Sequence, residues 1–127
     1  MFEISTKLSN KEALALPPLS LAFIGDSVQS LYERSVVTIG SDLPTGKLHK
    51  MVTQKVKAVS QADKVKTLME KMTSEESDLF RRARNCKIHT SAKHAEISEY
   101  RYASGYEAVL GFLYLTGQTE RLFEFLN

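Results

Sequence analysis

The chain lacks the cysteine pairs and long apolar runs that are typical of secreted and membrane proteins. Its 127 residues include one cysteine, Cys86, and no tryptophan. A single cysteine excludes an internal disulfide, and no Cys/His spacing indicates zinc. No apolar run approaches the roughly 20 residues that a membrane span needs, and the N-terminus lacks a signal-peptide pattern. We therefore expect a cytoplasmic protein without a membrane partner.

Positive charge is concentrated in two stretches. Residues 47–66 hold six lysines and one acid, and residues 81–94 hold three arginines, two lysines, two histidines and no acid. This uneven distribution, in a chain of net charge +2, favours a surface that faces a polyanion such as a nucleic acid. The alternative is a solvated helix face followed by a basic loop.

The apolar pattern is helical throughout, and no stretch alternates as a strand does. We predict an all-α fold, with residues 1–18 as an N-terminal arm or short helix and residues 19–127 as one domain. Thr73 and Glu76 have the spacing of a capping box. Residues 86–97 are predicted to form a loop, which at that length is typically functional. Longer helices are predicted at about 19–38, 47–72 with a bend near 59–60, 73–85, 98–115 and 119–126.

The first long helix carries a glycine and an acid in an apolar setting, Gly25 and Asp26 within FIGDSV. Glycine inside a helix costs roughly 0.5–1 kcal/mol relative to alanine and usually marks the close approach of another backbone. A carboxylate beside it is costly to bury unless it is paired or bound to a metal. The alternative is an acid that stays exposed at the helix edge.

A second apolar helix carries Glu107, with Ser104 three residues before it and Gly111 four residues after it. These three residues share one helix face, and the small ones allow another helix to approach. Two acids on such helices, Asp26 and Glu107, can converge in one site. The alternative pairs Glu107 with a cation such as Arg101.

These motifs resemble those of a known family. FIGDSV at residues 23–28 resembles the signature helix of the ribonuclease III catalytic domain, and YEAVLGFLYL at residues 106–115 is similar to its second acidic helix. Residues 48–50, 81–87 and 100–104 resemble the branch called Mini-ribonuclease III, which has the catalytic domain and no double-stranded RNA-binding domain. The likeness covers about residues 19–126 and implies the helical fold of that catalytic domain.

The resemblance also shows departures. The family surrounds its metals with four carboxylates, and Asp26 and Glu107 stand at two of those positions. Ala22 and Ser104 stand at the other two, and Leu19 stands where the signature has a further glutamate. Mini-ribonuclease III shows the same reduction, so we expect activity to persist, with more of the coordination supplied by water and phosphate.

By resemblance, the chain is a metal-dependent endoribonuclease that cleaves double-stranded RNA and leaves a 5′-phosphate. Asp26 and Glu107 are then catalytic metal ligands for Mg²⁺, with Mn²⁺ as a substitute, and Ser104 is a candidate for orienting water. The expected substrate is structured precursor RNA, particularly the precursor of 23S ribosomal RNA. Pre-ribosomal particles and ribosomal proteins are candidate partners. The compartment is the cytoplasm, or the plastid stroma in a plant or alga.

The resemblance further implies a homodimer whose two sites cut both strands of a duplex. The first helix supports this because its apolar residues, among them Phe23, Leu31 and Val36, cover a wide arc, and both sides of such a helix need burial. A thick monomer core is the alternative.

RNA contacts are expected from the two basic stretches, because duplex RNA is recognised through its shape, phosphates and 2′-hydroxyls. For His49, packing or hydrogen bonding is favoured over metal ligation, since no partner stands at ligand spacing. The rival function is a non-catalytic RNA-binding or ribosome-assembly module, which gains nothing from two acids facing phosphates. The expected RNA-binding residues are Lys47, Lys50, Arg81, Arg82, Arg84, Asn85, Lys87 and Lys93.

Overall fold

The computed structural model describes residues 7–55, 64–86 and 94–127, and the described residues form helices joined by short connections, with no strand among them. This confirms the all-α prediction. The helices are α1 (Asn10–Leu14), α2 (Pro18–Ile39), α3 (Thr45–Lys55), α4 (residues 64–68), the 3₁₀ turn Met69–Lys71, α5 (Ser74–Arg84), α6 (His94–Leu115) and α7 (Thr119–Leu126).

The N-terminal segment contributes to the core. A capping box opens α1, because Ser9 Oγ accepts from the Glu12 amide at 3.1 Å and Glu12 Oε1 accepts from the Ser9 amide at 3.0 Å. The Leu8 amide donates to the Leu115 carbonyl at 2.9 Å, and Ala13 is fully buried. The division of the chain at residue 18 stays a prediction.

The sequence located most helix ends to within a few residues. The capping box of α5 is present, with Thr73 Oγ1 accepting from the Glu76 amide at 3.2 Å. The last helical turn of α6 is followed by Gly117, which adopts the left-handed conformation at φ 71°. Helix α7 begins at Thr119, as predicted, and its N-cap is Gln118. The predicted bend near residues 59–60 lies outside the described residues.

One boundary was wrong at the predicted loop. Helix α6 begins at His94, so residues 94–97 are helical and the loop is shorter than the predicted 86–97. The Lys, His, Ser and Thr residues of this segment carry no apolar periodicity, which is why the pattern missed the first turn. Residues 87–93 lie outside the described part of the chain.

Two long helices, α2 and α6, form the centre of the molecule. Buried residues of α2 (Leu21, Ala22, Val28) pack against a nearly continuous buried run of α6, and α5 covers α6 through Leu79 and Phe80. The second half of α6 is buried over most of its surface because it is covered from several directions.

A nearly buried ion pair joins the start of α5 to α7. Glu76, which is 2% exposed, receives two hydrogen bonds from Arg121, at 3.0 Å from Nε and 2.7 Å from Nη2. Burial raises the pKa of Glu76, but the hydrogen bonds from Arg121 and Thr73 outweigh it and hold the pKa below its usual value. The pair therefore stabilises the fold most when Glu76 is ionised.

Candidate active site

The site is built where α2 crosses α6, and two glycines bring the helix backbones into contact there. A Cβ atom on Gly25 would lie 1.7 Å from the carbonyl oxygen of Glu107. A Cβ atom on Gly111 would lie 2.0 Å from the carbonyl oxygen of Leu21. Because position 25 meets 107 and position 21 meets 111, the helices run antiparallel. This confirms the predicted close approach at both glycines.

The crossing brings the backbone segments that carry the two acids of the sequence motifs close together. Asp26 directly follows Gly25, whose backbone touches that of Glu107. Asp26 is exposed and Glu107 is half-buried. The exposure of Asp26 agrees with the alternative of an acid that stays in solvent at the helix edge. Its position beside Gly25, and not its burial, connects it with Glu107. Pairing of Glu107 with Arg101 stays a hypothesis.

The donor set at the crossing suits a hard cation that keeps part of its water shell. Carboxylate oxygens are the ligands that Mg²⁺ prefers, and one or two of them, with water and substrate phosphate, commonly suffice. Groups of three or more His, Cys, Asp or Glu side chains at metal-binding distance are absent from the described residues. Two carboxylates from facing helices therefore fit a divalent metal site and do not provide a closed protein cage.

The predicted RNA-binding cations lie on two helices. Lys47 and Lys50 are exposed on α3. At the end of α5, Arg81 pairs with Asp78, while Arg82 Nη1 donates to the Leu14 carbonyl at 3.3 Å.

Arg84, the last arginine of α5, contacts the residue that follows it in the chain. Arg84 Nε donates to Asn85 Oδ1 at 3.3 Å. Such exposed contacts contribute little free energy, so they leave these side chains available to phosphates. Lys87 and Lys93 lie outside the described residues.

Comparison with known proteins gives a consistent result. The family model described as "Ribonuclease III domain" matches residues 19–118. The chain is 48% identical over 119 residues to Mini-ribonuclease 3 of Thermoanaerobacter sp., covering 93% of this chain and 84% of that protein. It is 44% identical to Mini-ribonuclease 3 of Staphylococcus aureus, over 88% of this chain and 85% of that protein.

The chain belongs to the ribonuclease III family. Its relatives place it in the Mini-ribonuclease III branch, as the motifs indicated, and it is an endoribonuclease that acts on double-stranded RNA. A crystal structure of a Fusobacterium nucleatum protein has the same fold, with a TM-score of 0.78 at 28% identity, covering 89% of this chain and 90% of that one. The rival assignment to a non-catalytic assembly module finds no support among these relatives.

Ribonuclease III enzymes are typically dimeric and generally depend on a divalent metal. At the family positions that this chain has replaced, Ala22 and Ser104 are 7% and 8% exposed. Both small residues are packed at the helix crossing and supply no further carboxylate. The water-orienting role of Ser104 stays a prediction. In the parts of the chain that the structure describes, no helix is long and apolar enough to cross a membrane; the compartment stays an expectation.

The wide apolar arc of α2 has one side that the chain itself leaves uncovered. Phe23, which belongs to that arc, is 76% exposed. Leu31 and Val36, at 45% and 41%, are also exposed. A thick monomer core therefore does not account for the wide apolar arc of α2. The width of the apolar arc indicated that more than one side of α2 needs burial, but the spacing of the apolar residues does not tell which side faces the core.

Proposed function

We propose that Asp26 and Glu107 hold a divalent cation, Mg²⁺ with Mn²⁺ as a substitute, at the crossing of α2 and α6, and that duplex RNA is hydrolysed there. The observation that supports this is the contact of Gly25 with the Glu107 backbone, because Asp26 directly follows Gly25 in the chain. When bound, such a cation lowers the pKa of a water molecule and neutralises charge on the phosphate.

The two acids differ in their surroundings, since the side chain of Asp26 is exposed and that of Glu107 is half-buried. The exposure of Asp26 leaves its carboxylate accessible to a cation from solvent and to the RNA. Glu107 is half-buried beside the fully buried Tyr106 and Ala108, so its backbone is held by the core. Rigid elements position a site more closely than loops do, and a small displacement of reacting groups lowers the rate strongly.

The RNA surface is proposed to include the exposed lysines of α3 and the basic end of α5. Lys47, Lys50, Arg81 and Arg82 are exposed, which is the condition for contact with phosphates. Duplex RNA is recognised largely by shape and backbone contacts, without sequence readout. The proposed substrate is a structured precursor such as that of 23S ribosomal RNA, with 5′-phosphate products, and pre-ribosomal particles are proposed partners.

A homodimer is proposed through the exposed apolar side of α2. Phe23 is 76% exposed and Leu19 is 39% exposed one turn before it. Large apolar side chains grouped on one helix side typically mark an interaction surface. Phe23 lies three residues before Asp26, so this surface borders the proposed metal site. A two-fold axis there would bring two sites close to one duplex.

Metal binding by the free protein tests the assignment most simply. In a Mn²⁺ titration followed by electron paramagnetic resonance, Asp26→Asn is expected to lose most of the affinity, because a carboxylate ligand becomes a neutral amide. Glu120→Gln, which changes an exposed acid of α7, is the control and should bind as the wild type does. Duplex binding in EDTA should remain in both variants. Unchanged Mn²⁺ affinity and cleavage in Asp26→Asn would refute the assignment.

A further inference from the structure

A cavity of about 210 Å³ lies between α2 and α3. Its floor is apolar and consists of the buried Val37 and Val52. Its rim carries polar side chains, all exposed: Arg34, His49 and the hydroxyls of Thr38 and Thr45. A depression that has an apolar floor and convergent hydrogen-bonding groups at the rim is the usual form of a small ligand site.

The rim of the cavity provides hydrogen-bond donors, and none of its residues carries a carboxylate. Among the described residues, the side chains of Arg34 and His49 make no ion pair and no hydrogen bond. A guanidinium presents five N–H donors in a fixed fork, and an imidazole and two hydroxyls add further donors. Phosphate oxygens are the acceptors that match such a set, and a guanidinium can bind them in bidentate geometry.

The cavity lies close to the proposed metal site along the same helix. Arg34 follows Asp26 by eight residues, a rise of about 12 Å along α2. Eight residues also turn the side chain by only about 80° around the helix axis, so both side chains emerge from the same half of α2. Lys47 and Lys50 are exposed on α3 beside His49. A duplex bound at Asp26 therefore passes within reach of the cavity.

We propose that the cavity formed by Arg34, Thr38, Thr45 and His49 binds a backbone phosphate of the RNA near the scissile bond. Arg34 carries the charge, and His49 and the threonines supply further hydrogen bonds. For a rise of roughly 3.4 Å per base-pair step, the value for a DNA duplex, 12 Å corresponds to about four steps, and the shorter rise of A-form RNA leaves this count nearly unchanged. The contact fixes the register of the strand on α2, and it rests on the proposed function, since it assumes that the duplex lies at Asp26.

Duplex binding measured in EDTA tests this contact without requiring cleavage. Arg34→Gln should weaken binding roughly tenfold, as expected for loss of a charged phosphate contact, and should lower the slope of log affinity against log salt by about 0.9. Lys11→Gln, a charge-matched change on α1, should leave both unchanged. Because Arg34 is exposed, thermal unfolding of the variant should equal that of the wild type. His49→Gln provides a second probe from the other helix.

A scan with neutral methylphosphonate linkages identifies the phosphate. Replacing one linkage within about four steps of the cleavage point should weaken wild-type binding, and it should have no further effect on Arg34→Gln. Unchanged affinity and salt slope in Arg34→Gln would overturn the proposal. The proposal would also be overturned if the loss of duplex affinity in Arg34→Gln did not depend on any single linkage. It would likewise be overturned if the cavity bound inorganic phosphate while Arg34→Gln left the duplex affinity unchanged. Failure of the acid assignment shows instead in Mn²⁺ binding, which Arg34→Gln should leave intact.

Discussion

At the scale of single residues, Gly25 decides whether α2 and α6 meet. No side chain fits at this position, because a Cβ would lie 1.7 Å from the Glu107 carbonyl oxygen and 2.6 Å from its carbon. Backbone atoms inside a core helix cannot move away as the end of a side chain can. The glycine therefore determines the spacing of the two helices that carry the acids.

Gly25→Ala is accordingly expected to destabilise the protein by about 3 kcal/mol, since overpacking costs roughly 1–3 kcal/mol and more where backbone must shift. Gly46→Ala is the matched control: it lies in α3, and a Cβ there meets nothing within 4 Å. It should be neutral or stabilising by up to about 1 kcal/mol. Urea unfolding of both variants measures the difference, and equal stabilities would contradict the described crossing.

The ion pair of Glu76 and Arg121 gives a pH prediction. The folded-state pKa of Glu76 is depressed, so its contribution to stability is present above the unfolded value of about 4.3 and is lost as the pH falls through the folded value. Glu76→Gln should lower the free energy of unfolding at pH 7 by roughly 3 kcal/mol. It should also flatten the dependence of that free energy on pH below about 4.3. The check is urea unfolding between pH 7 and pH 3, and a variant with the wild-type pH dependence would contradict it.

The sequence predicted the contact between residues that are close in the chain and not the contact with a residue that is far away in the chain. The capping box of Thr73 and Glu76 follows from a three-residue spacing. Arg121 is 45 residues away in the chain and has no local signal that pairs it with Glu76. The same holds for the candidate site: helical periodicity and small neighbours identified Asp26 and Glu107, whereas the contact between their helices depends on packing. The cavity beside Arg34 was not predicted, because it exists only where α2 and α3 meet.

At the scale of elements, the ring of Phe80 limits how closely α5 approaches α6 at Gly105. A Cβ on Gly105 would lie 2.5 Å from the ring of Phe80, and that ring also lies 5.8 Å from the ring of Tyr102, centroid to centroid. A side chain can turn aside more easily than a backbone can. Contacts of this kind therefore constrain the helix pair less strictly than the glycines at the crossing of α2 and α6.

Gly105→Ala should therefore destabilise the protein less than Gly25→Ala, by about 1–2 kcal/mol. Phe80→Leu, which shortens the side chain, should partly rescue Gly105→Ala, so the double variant should be more stable than the sum of the single effects. Thermal or urea unfolding of the four proteins of this cycle gives the coupling energy. A coupling of zero would mean that Phe80 does not limit the space at position 105.

The boundaries of elements show where periodicity is informative. Helices with a clear apolar stripe or a cap, such as α2 and α5, were predicted to within two residues. The start of α6 was missed by four residues because its first turn carries no apolar stripe. The apolar pattern did not predict which side of α2 faces outward, since periodicity identifies faces and not the direction of the core.

At the scale of the whole molecule, the exposed side of α2 predicts a dimer. Phe23→Ser should shift the protein toward the monomer. The side chain is 76% exposed in one chain, so its removal costs little monomer stability but should cost much of the free energy of association at an interface. The monomer stability of the variant should be nearly unchanged. Sedimentation velocity across a concentration series measures the shift, with Phe123→Ser on α7 as the comparison. A monomeric wild type, or a Phe23→Ser variant that dimerises normally, would contradict the proposal.

Two carboxylates at one helix crossing are proposed to support metal-dependent cleavage of duplex RNA. The most direct measurement is cleavage of a perfect RNA duplex, labelled on both strands, with and without Mg²⁺. The wild type and Glu120→Gln should cut both strands only with the metal, and Glu107→Gln should lose at least about 10²-fold in rate while still binding the duplex. Near wild-type cleavage by Glu107→Gln, or cleavage independent of divalent metal, would contradict the account.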